Sequence, residues 1–163
     1  LLQWVAAVDE DPDVVGAGVH GLAKIARRPD EQGAEAARAP MALTAEPLRR
    51  EATITVLSEL PPRRIAEVAR GLRDSSPDVR CASVEVLGRM QRLEASRALE
   101  SALDDAHAAV RLAGIRALKN LGTREPQRKL VTLARTDPEA EVRRAAMIAA
   151  SRTAGESVSS HQS

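Results

Sequence analysis

The chain has 163 residues, 24 basic against 23 acidic, with 44% hydrophobic and 29% charged residues. This near-neutral balance excludes the overall basicity of a dedicated nucleic-acid binder, and the composition is that of a soluble chain long enough to bury a core. One Trp and no Phe or Tyr leave Ala, Leu, Val, Ile and Met to fill that core. Ala and Leu are strong helix formers, whereas sheets draw on aromatic and β-branched residues, so the fold class read from composition is all-α.

Charge is unevenly placed. Residues 1–48 hold eight acids against four bases, and residues 49–163 hold fifteen acids against twenty bases. A single cysteine, Cys81, excludes an internal disulfide and a thiolate metal site, which makes a reducing, cytoplasmic environment the expectation. No run of about 18 apolar residues offers a bilayer span, and no charged-then-apolar leader opens the chain.

In chain order, residues 1–8 read as the second helix of a unit whose first helix lies upstream, so the chain is expected to be part of a longer polypeptide. From Asp9 to Thr153 an array of two-helix units follows. Its first unit is irregular, because residues 29–44 should hold a second helix but carry Pro40, and a kink or loop is expected there. The second unit reads as a helix over 47–60, a break at Pro61-Pro62 and a helix over 63–72. In the third, Ser75, Ser76 and Pro77 supply a helix start, Val79, Ala82, Ser83, Val86, Leu87 and Met90 follow at helical offsets, and a partner helix spans 94–103. The fourth covers 109–121 and 126–134, with Gly122 as the C-terminal stop. A last first-helix at 139–152 has no recognisable partner. Residues 154–163 read as a disordered polar tail.

A recurrent register ties the units together. Ala17, Ala52, Ala82, Ala113 and Ala145 are spaced by 35, 30, 31 and 32 residues. Two positions after each comes Val19, Ile54, Val84, Ile115 or Met147. Leu22, Leu57, Leu87, Leu118 and Ala150 stand five after, and Ile25, Leu60, Met90, Leu121 and Thr153 eight after. Fixed apolar offsets at such a period mean units that bury their cores against their neighbours, which predicts a right-handed α-α superhelix of about five repeats.

The Asp-x-x-Pro-x-Val-Arg-x-Ala-x-x-x-Leu-like segments, best seen over 74–90, 105–121 and 137–152, resemble HEAT repeats of the short bacterial type. The resemblance implies a hydrogen-bonded ladder between successive units, made by a turn Asp and an Arg early in the first helix; here Asp74 precedes Arg80, Asp105 precedes Arg111 and Asp137 precedes Arg143, each by six residues. A turn carboxylate can also satisfy helix-start amides and accept charge-assisted bonds from a guanidinium. The pattern fails in the first two units, where Asp9 precedes Val15 and Thr44 precedes Arg50. What the resemblance implies for function is a non-enzymatic scaffold for a protein partner. Alternatives are a regulatory segment of a larger enzyme or membrane protein, a protein similar to bilin lyases that handles a tetrapyrrole, and weak, non-specific binding to nucleic acid.

Candidate chemistry is sparse. His20, His107 and His161 form no pair at metal-binding spacing, and none is followed by Glu, unlike the iron-binding His-Glu pairs of HEAT-like hydroxylases. Cys81, between Arg80 and Ala82, reads as a surface thiol. Neither a Gly-rich phosphate loop nor a Gly-x-Ser-x-Gly motif is present. Trp4 alone gives no stacking surface for flipped or single-stranded bases. No catalytic residue, cofactor or metal is therefore assigned. Placing the apolar positions of the second helices inward leaves Arg63, Glu67 and Arg70 outward in the second unit, Glu94, Arg97 and Ser101 in the third, and Glu125, Arg128, Thr132 and Arg135 in the fourth. Second helices line the concave side of such arrays, and this stripe suits acidic protein segments, because planar guanidinium forks carboxylates; the alternative is a solvated polar face.

Overall fold

The computed structural model describes residues 12–38, 47–122 and 126–155, all helix, turn or short connection, with no strand among them. The helix expected at 1–8, Pro40, Glu125 and the residues from 156 onward lie outside the described residues. Five first helices are α1 (Pro12–Ala26), α3 (Pro47–Ser58), α5 (Pro77–Arg89), α7 (Ala108–Leu121) and α9 (Ala140–Gly155). Between them stand the second helices α2 (Glu31–Arg38), α4 (Ile65–Arg70), α6 (Ser96–Ser101) and α8 (Gln127–Thr136). Single 3₁₀ turns extend α4 to Pro62–Arg64 and Gly71–Arg73, and α6 to Leu93–Ala95 and Ala102–Asp104.

Successive first helices pack in series, α1 on α3, α3 on α5, α5 on α7 and α7 on α9. Among the second helices, α2 packs on α1, α4 on the following α5, α6 on α7 and α8 on α9. Each unit is thus closed by its neighbours rather than by a common centre, which is the α-solenoid expected from the period.

The register explains the stacking. Leu22, Leu57, Leu87, Leu118 and Ala150 are buried, as are Ile54, Val84 and Ile115 two places after the marker alanine. Truncating one fully buried leucine of this row, such as Leu87, to alanine costs about 2–5 kcal/mol. The marker itself is less uniform: Ala82 is buried, Ala52, Ala113 and Ala145 are half-buried, and Ala17 is exposed. The constant small position is the next one, where Gly18, Thr53, Ser83, Gly114 and Ala146 are all buried. Its size is set by close approach, since a Cβ on Gly114 would stand 3.1 Å from that of Ala102 at the end of the preceding second helix.

The 29–44 stretch holds its expected second helix as α2, which buries Ala34, Ala36 and Ala37, and the kink or loop expected at Pro40 lies outside the described residues. Two expectations need correction. The last first-helix runs to Gly155, three residues past its expected end at Arg152. Met147 occupies the row of Ile54, Val84 and Ile115 but is 59% exposed, because no following first helix among the described residues covers it.

Candidate functional site

Three identical turns organise the C-terminal units. Asp74, Asp105 and Asp137 each adopt an extended backbone, with φ near −65°, −64° and −60°. Each turns the chain into the next first helix by accepting, on Oδ1, the amide two residues on: Ser76 at 2.8 Å, His107 at 2.8 Å and Glu139 at 3.0 Å. The amide held is that of the residue just before the helix rather than one inside its first turn, so the Asp works as a turn brace beside the cap. The backbone N–H of Arg80, Arg111 and Arg143 then donates to the carbonyls of Ser76, His107 and Glu139, the first helical bonds of α5, α7 and α9. That bond fixes the arginine six residues after the aspartate.

The guanidinium closes the turn and links it to the next. Nη1 of Arg80 donates to the carbonyls of Asp74 and Ser75 at 2.9 and 3.0 Å, while Nε and Nη2 grip both carboxylate oxygens of Asp105 at 2.7 and 3.0 Å. Arg111 repeats this, with Nη1 on Asp105 and Ala106 and the Nε/Nη2 edge on Asp137 at 2.8 and 2.9 Å. Arg143 bonds the carbonyls of Asp137 and Pro138 through Nη1 in the same way. The Asp105 and Asp137 carboxylates are thus each held by the Arg of the preceding unit, which makes the ladder run between successive units.

Electrostatics follow the geometry. The Arg111 fork holds the Asp137 carboxyl below the usual carboxylate range against the cost of burial, with the Glu139 amide assisting. Burial opposes ionisation of Asp105, but Arg80 and the His107 amide outweigh it and its carboxyl also lies low. Both arginines are correspondingly raised by their aspartates. In the second unit Arg50 stands at the ladder position, and it donates to the Asp78 carbonyl at 3.2 Å and the Glu85 carboxylate at 2.9 Å.

Other cross-unit pairs lie on the outer surface, Arg27–Glu59 at 3.1 Å, Arg89–Glu51 at 2.8 Å and Arg116–Glu141 at 3.7 Å. Exposed pairs of this kind contribute about 0–1 kcal/mol each. A groove of about 230 Å³ between α5 and α7 is lined by Glu85, Arg89, Gln91, Arg116 and Asn120 around Gly88, Ala113 and Ala117.

Of the outward residues expected on the second helices, Arg63, Arg70, Arg97, Arg128 and Arg135 are exposed, as are Glu94, Ser101 and Thr132. Arg70, Arg97, Arg128 and Arg135 form no ion pair among the described residues. Arg63 reaches back to the carbonyl of Arg27. Glu67 is a correction, because its side chain is only 15% exposed and lies against the buried Arg64 at 3.2 Å. Arg64 was not singled out by sequence, yet it closes the end of α1 by donating to the carbonyls of Ala26 at 2.9 Å, Arg28, and Asp30 at 3.1 Å. Carbonyls at a helix C-terminus lack intrahelical partners and carry partial negative charge, so a guanidinium suits them. The one available signal was the pair Arg63-Arg64 after Pro61-Pro62, and the pattern did not say which member turns inward.

His107 is exposed at the start of α7, and Cys81 is half-buried on α5, where burial pushes its thiol up. That shift is opposite to what an activated thiolate needs. Among the described residues no group of three or more metal-ligating side chains converges, and no helix is long and apolar enough to cross a membrane.

Paired helices, a shared apolar register and a repeated Asp–Arg turn define a helical-repeat solenoid. The sequence profile described as HEAT repeats matches residues 65–151, more than half of the chain. The chain belongs to the HEAT-repeat family. Among solved structures, a designed armadillo repeat protein in complex with the peptide (KR)4 is similar over 93% of this chain and 80% of its own, at 20% identity and a TM-score of 0.50. Two engineered proteins each match 91% of this chain at 17% identity, over 77% and 46% of their own lengths, with TM-scores of 0.45 and 0.43. The likeness to the armadillo design is one of fold. No curated protein matches the chain in sequence.

Proposed function

We propose that the chain is a non-enzymatic scaffold that receives an acidic segment of a protein partner along the arginines of its second helices, Arg63, Arg70, Arg97, Arg128 and Arg135. Helical solenoids commonly mediate protein contacts through the long surface that stacking generates. The observation that carries the reading is a division of labour among the arginines. On the first helices Arg50, Arg80, Arg89, Arg111 and Arg116 are engaged with carboxylates of neighbouring units. On the second helices Arg70, Arg97, Arg128 and Arg135 are exposed and form no ion pair among the described residues, and the removal of Glu67 from the stripe makes it more cationic than its composition indicated. The armadillo design that shares this fold was solved with a basic peptide. Here the exposed charge on the second helices is itself basic, so the ligand should be acidic.

The test is fluorescence anisotropy with a labelled oligo-glutamate peptide. Binding should weaken steeply with salt, because exposed charges more than about 10 Å apart are screened at ordinary ionic strength. Arg97→Glu combined with Arg128→Glu should abolish it while leaving the helical circular dichroism and the melting transition in place. Nucleic acid should bind weakly and without sequence preference, through phosphate alone. Full retention of peptide by the double variant, or tight sequence-selective binding of DNA or RNA, would overturn the reading.

A further inference from the structure

Exposed charges alone hold a ligand weakly, because each pair is screened by salt and must order two long side chains. The surface around the second-helix arginines is not purely polar, however. Among the described residues four large apolar side chains are exposed, and two of them, Leu93 at 69% and Val131 at 43%, stand on the second helices.

Both lie one helical turn from the arginines of the stripe. Leu93 opens the turn that leads into α6, four residues before Arg97. Val131 lies three residues after Arg128 and four before Arg135 on α8. Residues three and four apart on a helix share a face, so α8 turns Arg128, Val131, Thr132 and Arg135 outward together, while Leu130, Leu133 and Ala134 pack on the core. No acid interrupts α8, and around Leu93 the exposed Arg92 and Arg97 outnumber the exposed Glu94.

Neither apolar side chain belongs to the core cluster. Valine also has a lower helix propensity than the Arg and Lys near it, so the fold gains nothing from it at that exposed position. A lone exposed apolar side chain is ordinary on a protein surface, but these two recur in successive units, each four residues before a stripe arginine. Three to four helical residues rise about 5–6 Å, which is the reach between side chains one or two positions apart on an extended ligand.

We propose that the partner segment alternates acidic with large apolar residues, setting its carboxylates on Arg97, Arg128 and Arg135 and its apolar side chains over Leu93 and Val131. This rests on the scaffold reading and narrows its ligand. Apolar cover displaces water from beside the guanidinium groups, which lowers the local dielectric and strengthens the charge-assisted bonds there. A segment of acids alone supplies the charge without the cover.

Fluorescence anisotropy with two labelled peptides of equal charge, one of four Glu-Leu-Glu repeats and one of eight glutamates, separates the two contributions. The leucine peptide should bind at least about tenfold more tightly, the gain expected from burying one apolar side chain. Leu93→Gln combined with Val131→Thr should remove that gain. The same variant should leave the oligo-glutamate affinity and the melting temperature unchanged, because both side chains are exposed in the free protein. A peptide of four Gln-Leu-Gln repeats should bind at least about tenfold more weakly than its glutamate counterpart, since it loses the charge-assisted bonds. Equal affinity of the two acidic peptides, a gain that survives the double variant, or equal binding of the Gln-Leu-Gln peptide would each overturn the proposal. Equal affinity that still depends on Arg97 and Arg128 would overturn it alone and leave the scaffold reading standing, whereas no binding by any of the three peptides would overturn both.

Discussion

Asp137→Ala is the sharpest test of the ladder, because Asp137 has the most to lose. Its side chain is 1% exposed and its partner Arg111 9% exposed, with bonds of 2.8 and 2.9 Å between them. The substitution deletes the brace on the Glu139 amide, worth about 1 kcal/mol as a single hydrogen bond. It also strands the guanidinium, and breaking a buried pair by removing one member costs about 3–5 kcal/mol. Arg111 keeps its Nη1 bonds to the carbonyls of Asp105 and Ala106, which compensates part of its charge and puts the total near the lower bound, about 3 kcal/mol. Asp105, 11% exposed, faces an Arg80 at 15%, where more solvent remains, so Asp105→Ala should cost about 1–3 kcal/mol. Asp74 is exposed and braces only the Ser76 amide, and Asp74→Ala should cost about 0.5–1 kcal/mol. Urea unfolding followed by circular dichroism, with the slope checked for each variant, reads the series. A double-mutant cycle of Asp137→Ala with Arg111→Ala should give a coupling of about 1.5–3 kcal/mol. Equal losses for Asp137→Ala and Asp74→Ala, or a coupling near zero, would refute the claim that the inter-unit fork stabilises the stack.

Acid should act through the same pair. Both the Asp105 and the Asp137 carboxyls lie below the ordinary aspartate range, so their stabilisation is complete above that range and is lost as the pH falls through their lower folded values. The melting temperature of the wild type should therefore fall more steeply with acid below the ordinary carboxylate range than that of Asp137→Ala. Gly88→Ala should destabilise, despite better helix propensity, because the new Cβ would lie 2.9 Å from that of Ala117 on the next first helix; an overpacked contact costs about 1–3 kcal/mol, read by thermal unfolding. Gln91 and Gly122 stand at the same place after their first helices, both with positive φ, at 48° and 68°. Gln91→Gly should therefore stabilise by up to about 1 kcal/mol and Gly122→Ala should destabilise by a similar amount, since only glycine occupies that region without a Cβ penalty.

What sequence made legible was whatever repeats. The rows at Leu22, Leu57, Leu87 and Leu118 are buried because stacking demands an apolar residue there in every unit, and five copies average away the exceptions. The ladder residues were legible for the same reason: the spacing of six recurs along the chain, and the carboxylate each arginine grips comes from the next unit, 25 or 26 residues ahead. Single-copy features were not legible. Arg64 is buried because the end of α1 presents three carbonyls to it, and no neighbouring unit repeats that arrangement. Glu67 follows Arg64 inward as its ion-pair partner, and a helical projection that counts every charge as solvent-facing puts it on the wrong side. The Ala-rich stretch before Pro40 was legible as a second helix, and Ala34, Ala36 and Ala37 are its buried face.

Charge in this array serves two ends that geometry keeps apart. Arginines on the first helices lie within reach of the next unit, and a carboxylate there is met by a guanidinium whose other edge is already tied to its own turn. Held at both edges, such a side chain loses conformational freedom once and links two units, which is why the 9% exposed Arg111 can be tolerated in a stack with so little polar interior. The second helices follow a different rule, because α4 and α6 are short and lean on the next first helix more than on each other, so their outward arginines find no carboxylate across the gap. An unpaired guanidinium on a surface that stacking has already fixed in place gives up little further backbone entropy on meeting a ligand, and that pre-organisation favours binding.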